Sequence, residues 1–227
     1  MSTVQTLRTS IDKFQEKCSG PQPKDIYEAQ QWEMAGAHAM LINGLLNVYE
    51  VGQHLLNDQT FWEENIYYPL FSPKFNTDAI VAEHETFHAG VEKVKAYLVS
   101  CLPAGTSWGY DQVASAHEQQ IFDSTRLMTL VDGFVDELTQ HLIQEITYLE
   151  PDALRASGLT VAEVKHISEV SEKHMKSMPP TTFLVYTIIH APKGSLFPPV
   201  PGVVRNVLAP YIFYIPNKKL WQFAPDK

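Results

Sequence analysis

Histidine and glutamate residues recur inside the apolar helical patterns of this chain, and this recurrence constrains the fold more than any other feature. The clearest case is His84 and His88, which stand four residues apart in a stretch of helical character. Because four residues make little more than one helical turn, a helix places both imidazoles on the same face. Two neutral imidazoles on one face form half of a typical metal site. The pattern therefore predicts helices that carry metal ligands among their apolar residues.

Helical periodicity covers the first three quarters of the chain, which predicts an all-α fold. The predicted helices span approximately residues 3–18, 25–51, 58–68, 76–102, 111–149 and 160–177. Thr160 with Glu163 is typical of a capping box, as is Asp25 three residues before Glu28. Pro69 is expected to end the shortest helix.

The composition changes after residue 178. Three prolines within residues 197–201 cannot lie inside a helix, and the same region holds several large aromatic side chains. Such side chains favour packing on the helices over a free tail. We therefore expect a helical domain at residues 1–178 and an irregular, proline-rich C-terminal extension at residues 179–227 packed on it.

The overall charge and the cysteine content exclude several classes of partner. The net charge is −9 without a dense basic cluster, which argues against nucleic acid or an anionic membrane surface. Cys18 and Cys101 are too few for a disulfide framework. The longest apolar run, residues 183–189, is too short to span a bilayer, and the N-terminus lacks a signal-peptide pattern. A cytoplasmic protein is expected.

Further metal-ligand candidates lie on the other predicted helices. They are His38, the neighbours Glu63 and Glu64, and the pair His141 and Glu145, which stand four residues apart. Each alone is more typical of a buried histidine or a solvated surface pair, but together they occupy successive helices. Facing helices of a bundle build metal sites in this way. Mixed imidazole and carboxylate ligation favours iron, manganese or zinc over copper(I) or calcium.

A second motif overlaps the first histidine pair. Residues 84–88 read His-Glu-Thr-Phe-His, which matches the zinc-protease helix, with Glu85 as the residue that would activate a zinc-bound water. Such a site needs a third protein ligand, and no histidine or glutamate stands six residues beyond His88, where one large subclass places it. The protease interpretation is therefore the weaker one.

Taken in order, these segments resemble the hemerythrin-like, or HHE, domain, and in particular its fungal members. The resemblance covers most of the chain, and the order of the motifs is far more specific than any one of them. The matching stretches are His38 with residues 44–49, Glu63-Glu64 running to Pro69, His84-x-x-x-His88 followed by Ala-Gly, His141-Leu-x-x-Glu145, and the motifs at residues 197–201 and 221–225.

The resemblance implies an up-and-down four-helix bundle around a pair of oxo-bridged, non-haem irons that bind dioxygen. Glu63 and Glu145 would be the candidate bridging carboxylates, and no separate catalytic acid or base is evident. The expected function is iron binding, with reversible binding of dioxygen or another diatomic ligand, or redox or iron sensing. The implied iron ligands are His38, Glu63, His84, His88, His141 and Glu145.

The chain departs from the family pattern in its second helix. The family places a histidine four residues before the glutamate of that helix, whereas this chain has Gln59. The predicted helix is also short, at roughly 16 Å against roughly 40 Å for its neighbour. We expect one iron position to be weakened or emptied as a result. Two other functions stay open: an oxidoreductase acting on peroxide, nitric oxide or ferrous iron, and a metal-free helical scaffold or interaction protein.

Overall fold

The structure is a computed structural model that describes residues 3–51, 63–108, 112–178, 180–192 and 194–218. Its α-helices are α1 (Thr3–Cys18), α2 (Ile26–Val51), α3 (Asp78–Ser100), α4 (Ser124–Asp132), α5 (Val135–Tyr148), α6 (Pro151–Ala156), α7 (Val161–Ser177) and α8 (Val185–His190). Shorter elements are the π-helical segments Glu63–Tyr67, Pro180–Leu184 and Val204–Phe213, the 3₁₀ turns Tyr68–Phe71 and Ile215–Asn217, and the antiparallel strands β1 (Ser107–Trp108) and β2 (Gln112–Val113). The described chain is thus mostly helical, as predicted, while the up-and-down bundle arrangement stays a prediction. None of its described helices has the length and apolarity needed to cross a bilayer.

One continuous apolar core joins the longer helices. α1 packs along α2 and against α5, while α3 packs against α4 and α5. Leu7 and Phe14 of α1 lie seven residues apart on one helix face and are fully buried in this core. Asp25 begins α2 as predicted, because its carboxylate accepts hydrogen bonds from the backbone N–H of Tyr27 at 2.9 Å and of Glu28 at 3.1 Å. The Thr160–Glu163 capping box at the start of α7 is also present.

The single long helix predicted at residues 111–149 is wrong. Residues 118–126 are all exposed, so this stretch has no apolar face that would stabilise a helix by packing. The helix begins instead after Asp123, whose carboxylate caps the first turn of α4, and it is interrupted at Gly133 before α5 starts. α6 was not predicted; Pro151 stands in its first turn, where proline is favoured.

The segment at residues 63–71 also differs from the prediction. Pro69 does not end a helix but stands in the first turn of the 3₁₀ segment, where its missing N–H leaves no hydrogen bond unmade. Tyr67, Tyr68 and Phe71 are buried and anchor this segment in the core. Gln59 lies outside the described residues. The anchored segment places Glu63 in the protein interior.

The C-terminal extension seats two aromatic rings over glycines of α2. A Cβ atom at Gly36 would stand 2.5 Å from the Phe197 ring, and one at Gly44 would overlap the Tyr186 hydroxyl. The extension is more helical than predicted, since Pro210 lies inside the π-helical segment Val204–Phe213. The domain boundary at residue 178 stays a prediction.

Candidate metal centre

Five ionisable side chains from four segments meet inside the apolar core. His38 comes from α2, Glu63 from the π-helical turn, His84 from α3, and His141 and Glu145 from α5, and none is more than 2% exposed. Glutamate is seldom buried to this degree unless it is paired or binds a metal, and here two glutamates are buried together with three histidines. These residues form the cluster described below as the metal centre.

Local helical spacing explains why these side chains face inward. In α5, Leu138, His141, Leu142 and Glu145 are all buried, and their spacing of three and four residues lines one helix face. In α3 the buried face likewise includes His84 together with Phe87. The apolar residues set the rotation of each helix, and the ionisable ones are carried into the core with them.

The cluster contains two groups of three residues that share one carboxylate. In each group, one possible ligand atom from every residue lies within 4.8 Å of the others. We call Glu63, His84 and His141 the two-histidine position, and His38, Glu63 and Glu145 the one-histidine position. Glu63 belongs to both groups. The buried cluster could therefore hold a metal ion at either position.

The distances inside the cluster join imidazole Nε2 atoms to carboxylate oxygens. His38 Nε2 lies 2.9 Å from Glu145 Oε2, and His141 Nε2 lies 3.7 Å from the same oxygen. His84 Nε2 lies 3.5 Å from Glu63 Oε2. The Nε2 atoms of all three histidines thus point toward the cluster interior.

The other ring nitrogen of each histidine is held from outside the cluster. His38 Nδ1 donates to the Leu142 carbonyl oxygen at 3.0 Å, a group that can only accept. His84 Nδ1 lies 2.7 Å from Glu64 Oε1, and His141 Nδ1 lies 3.0 Å from Glu83 Oε2. Ionised carboxylates also only accept, so the proton of each neutral ring belongs on Nδ1. The lone pair on each Nε2 is then free for a metal.

Five of the atoms that converge in the cluster make no hydrogen bond within the described part of the chain. Among the described residues, the Nε2 atoms of His38, His84 and His141 have no hydrogen-bond partner, and neither carboxylate oxygen of Glu145 has one. His38 Nε2 lies close to Glu145 Oε2, but this approach lacks hydrogen-bond geometry. Buried polar atoms without partners are costly. A metal cation would satisfy these atoms together.

Burial keeps the imidazoles in the form that binds metals. It lowers the pKa of His38 to about 4 against the opposing charge of Glu63. It also lowers the pKa of His141 to about 3, helped by the nearby His84 and His38. Burial raises the pKa of Glu145 to about 8. At neutral pH both histidines are therefore neutral, which is the state required of a metal-binding imidazole.

The structure does not bring His88 into the cluster. His88 is exposed on α3, one turn beyond the buried His84. The buried face of α3 continues through Phe87 and Val91 instead, which places His88 outside its edge. Glu85 is exposed as well, so the zinc-protease arrangement of two histidines with an intervening glutamate is not formed.

Two residues beside the centre were not predicted as part of it. The sequence pattern offers Glu64 beside Glu63 as a metal-ligand candidate but does not indicate its contact with His84, and it does not indicate Glu83. Each is the immediate sequence neighbour of a cluster residue, which was the available signal. Neighbouring helical residues point in directions about 100° apart, so one enters the core while the other reaches an adjacent segment.

Comparison with known proteins finds no matching family model, no matching curated protein and no matching solved structure. The hemerythrin-like resemblance therefore rests on the residues of the chain themselves.

Proposed function

We propose that this protein binds two non-haem iron ions in the buried cluster. One of them is bound more weakly, because this chain has Gln59 where the hemerythrin-like pattern has a histidine. The bound irons serve to bind dioxygen or another diatomic ligand, or to sense redox state or iron. The observation that carries the proposal is the set of unpaired atoms. Three buried Nε2 atoms face two carboxylates, while every Nδ1 is held by an acceptor. These unpaired atoms destabilise the metal-free protein and would bind cations.

The donor atoms favour iron. Two imidazoles and one carboxylate at the two-histidine position form the ligand set typical of non-haem ferrous iron with open coordination positions. A structural zinc site would have four protein ligands, commonly with cysteine, and neither cysteine belongs to the groups described. The order of the hemerythrin-like motifs supports the same metal.

The shared carboxylate supports a pair of ions over a single one. Glu63 contributes to both positions, and a carboxylate has two oxygens that can bind different ions. Glu145 supplies a second carboxylate at the one-histidine position. When bound, the iron pair would supply reversible electron transfer and a coordination position for a small ligand.

Aromatic rings surround the histidines and keep the centre dry. The Phe14 ring lies 5.7 Å from the His38 ring, and the Phe87 ring lies 5.2 Å from the His141 ring. Tyr68 stands beside His84 at 6.2 Å. A dry centre strengthens electrostatic interactions and admits small neutral molecules more readily than ions.

A metal-free helical scaffold is the second candidate function. The exposed position of His88 favours it, since one ligand implied by the resemblance is not at the cluster. If the protein is such a scaffold, the buried ionisable residues bind no metal and only lower its stability.

Metal content and an optical spectrum test the proposal. Protein purified without chelator is analysed for iron, and its spectrum is recorded as isolated, after reduction, and after return to air. We expect iron in the folded protein and an absorbance that reduction removes and air restores. His84→Ala and His141→Ala should each abolish this absorbance and lower the iron content, because both residues belong to the two-histidine position. A folded protein that neither retains iron nor binds added ferrous iron contradicts the proposal and supports the scaffold. If the iron-loaded protein turns over peroxide or nitric oxide repeatedly, the proposed function is an oxidoreductase activity and not ligand binding.

A further inference from the structure

We propose that Glu64 and Glu83 are positioning residues of the metal centre, which makes the affinity of the two-histidine position depend on carboxylates that touch no metal. Each carboxylate would fix the proton of one imidazole on Nδ1 and orient that ring. This inference rests on the proposed metal binding.

Glu64 supports His84 from the π-helical turn. Its Oε1 atom lies 2.7 Å from His84 Nδ1, and its side chain is 35% exposed while the His84 side chain is 1% exposed. One oxygen of the Glu64 carboxylate can therefore stay in contact with solvent while the other accepts a hydrogen bond from the imidazole Nδ1–H. A charged acceptor holds the ring more strongly than a neutral one.

Glu83 supports His141 across the interface between α3 and α5. Its Oε2 atom lies 3.0 Å from His141 Nδ1. With the Gln144 amide oriented to satisfy its neighbours, that amide donates to both Glu83 oxygens at 3.1 Å, and the Tyr148 hydroxyl donates to Glu83 as well. The carboxylate is thus fixed from α5 at several points, which leaves it little freedom to release the imidazole.

The supports link the segments in a chain. Glu63 is a carboxylate of the cluster, and its neighbour Glu64 holds the His84 ring. His84 is an imidazole of the cluster, and its neighbour Glu83 holds the His141 ring. Residues 141 and 142 give it another imidazole and hold His38 through a backbone carbonyl. Both rings of the two-histidine position therefore have carboxylate supports, whereas His38 has a neutral one.

This asymmetry predicts how the two positions respond to substitution. Carboxylate partners raise the donor strength of a metal-binding imidazole, and their loss typically weakens metal binding about 10–100-fold. Glu64→Ala and Glu83→Ala should cause a loss of this size at the two-histidine position. The one-histidine position should change much less, because neither carboxylate contacts His38.

The test is an anaerobic calorimetric titration of metal-free protein with ferrous iron, fitted to two sites. The variants are Glu64→Ala and Glu83→Ala, together with the conservative Glu64→Gln and Glu83→Gln. The amide oxygens of the glutamine variants can still accept a hydrogen bond from the imidazole Nδ1–H. Glu85→Ala, at an exposed residue of α3, is the matched control. We expect the alanine variants to lose affinity at one site, the glutamine variants to recover part of it, and the control to match wild type.

A spectroscopic readout separates positioning from general structural support. In the cobalt(II)-loaded protein, the Nδ1 protons of the bound imidazoles give shifted, exchangeable proton resonances. Glu64→Ala should broaden or remove the resonance of His84 and leave that of His38 in place. Urea unfolding of the metal-free variants monitors stability alongside.

Several outcomes overturn the inference. If the alanine variants bind ferrous iron at each site as tightly as the Glu85→Ala control does, the two carboxylates have no positioning role. The metal centre itself is then still supported by the wild-type titration. Equal losses at both sites, accompanied by lower stability of the metal-free protein, indicate structural support only. If wild-type protein binds no ferrous iron, the proposed function itself falls.

Discussion

The imidazole rings of His84 and His141 lie 4.6 Å apart between centroids, with their planes inclined by 77°. One ring comes from α3 and the other from α5, and each is held at Nδ1 by a carboxylate from a different segment. Their Nε2 atoms have no partner among the described residues. Two rings so close and so firmly held are organised before any ligand arrives, and the metal-free protein bears the cost of keeping their lone pairs unpaired.

Replacing a cluster carboxylate should stabilise the metal-free protein. Glu145 is fully buried, and both of its carboxylate oxygens lack a partner among the described residues. Glu145→Met keeps a similar volume without an unsatisfied polar group, so the free energy of unfolding should rise by about 1–3 kcal/mol. Urea unfolding in the presence of chelator measures the change.

The same variant should lose part of the stabilisation that iron gives the wild type, because the one-histidine position then lacks a ligand while the two-histidine position keeps all of its own. Glu85→Met, at an exposed position of α3, serves as the control and should change stability by no more than about 0.5 kcal/mol. A metal-free Glu145→Met protein that is less stable than wild type would contradict this account of the cluster.

The contact between α2 and the C-terminal extension should depend on Gly36. A methyl group there would stand 2.5 Å from the Phe197 ring, which is buried. Gly36→Ala should therefore lower the free energy of unfolding by about 1–3 kcal/mol, although alanine favours the helix. Urea unfolding measures this change. Gly133→Ala is the control, because its new Cβ would lie 3.4 Å from a backbone oxygen, which is an ordinary van der Waals contact.

A second substitution tests the cause of that loss. If the clash with Phe197 is responsible, adding Phe197→Ala to Gly36→Ala should cost less than the sum of the two single changes. Additive losses would mean that the two residues do not compete for the same space.

Acid should weaken the protein in part through His190. Burial lowers the pKa of this histidine from its ordinary 6.5 to about 4. Between these values the unfolded chain binds more protons than the folded one, so the contribution of His190 is complete above about pH 6.5 and is lost as the pH falls toward 4. Lowering the pH from about 7.5 to about 5 should cost roughly 2 kcal/mol through this residue alone.

Urea unfolding at both pH values checks this expectation. His190→Gln should lose less stability on acidification than wild type, by about that amount. The exposed His166 provides the control variant His166→Gln, whose acid loss should match wild type. Equal acid losses for wild type and His190→Gln would refute the assignment.

The sequence identified most of the residues that the structure brings together. His38, His84, His141 and Glu145 lie on helices whose periodicity determines the buried face, and Glu63 lies next to a strongly apolar segment that anchors it. His88 was misjudged because spacing alone cannot give the rotation of α3, which follows from its larger apolar residues. Whether these residues bind iron stays a prediction.

The parts that the sequence did not reveal depend on contacts between distant segments. Glu83 reaches His141 from another helix, and no spacing rule within one helix predicts such a pair. The helical pattern of the sequence extends over the stretch before α4, but the structure gives that stretch no apolar face to bury. The hydroxyl of Tyr186 and the ring of Phe197 explain the glycines of α2 only once the extension is seen against that helix.

The most direct test of the metal centre is anomalous diffraction at the iron edge from crystals grown with ferrous iron under anaerobic conditions. The account predicts two anomalous peaks inside the cluster, one beside His84 and His141 and the other beside His38 and Glu145. A single peak at the two-histidine position would retain the metal centre and remove the pair. A well-ordered cluster with no anomalous peak would contradict the account.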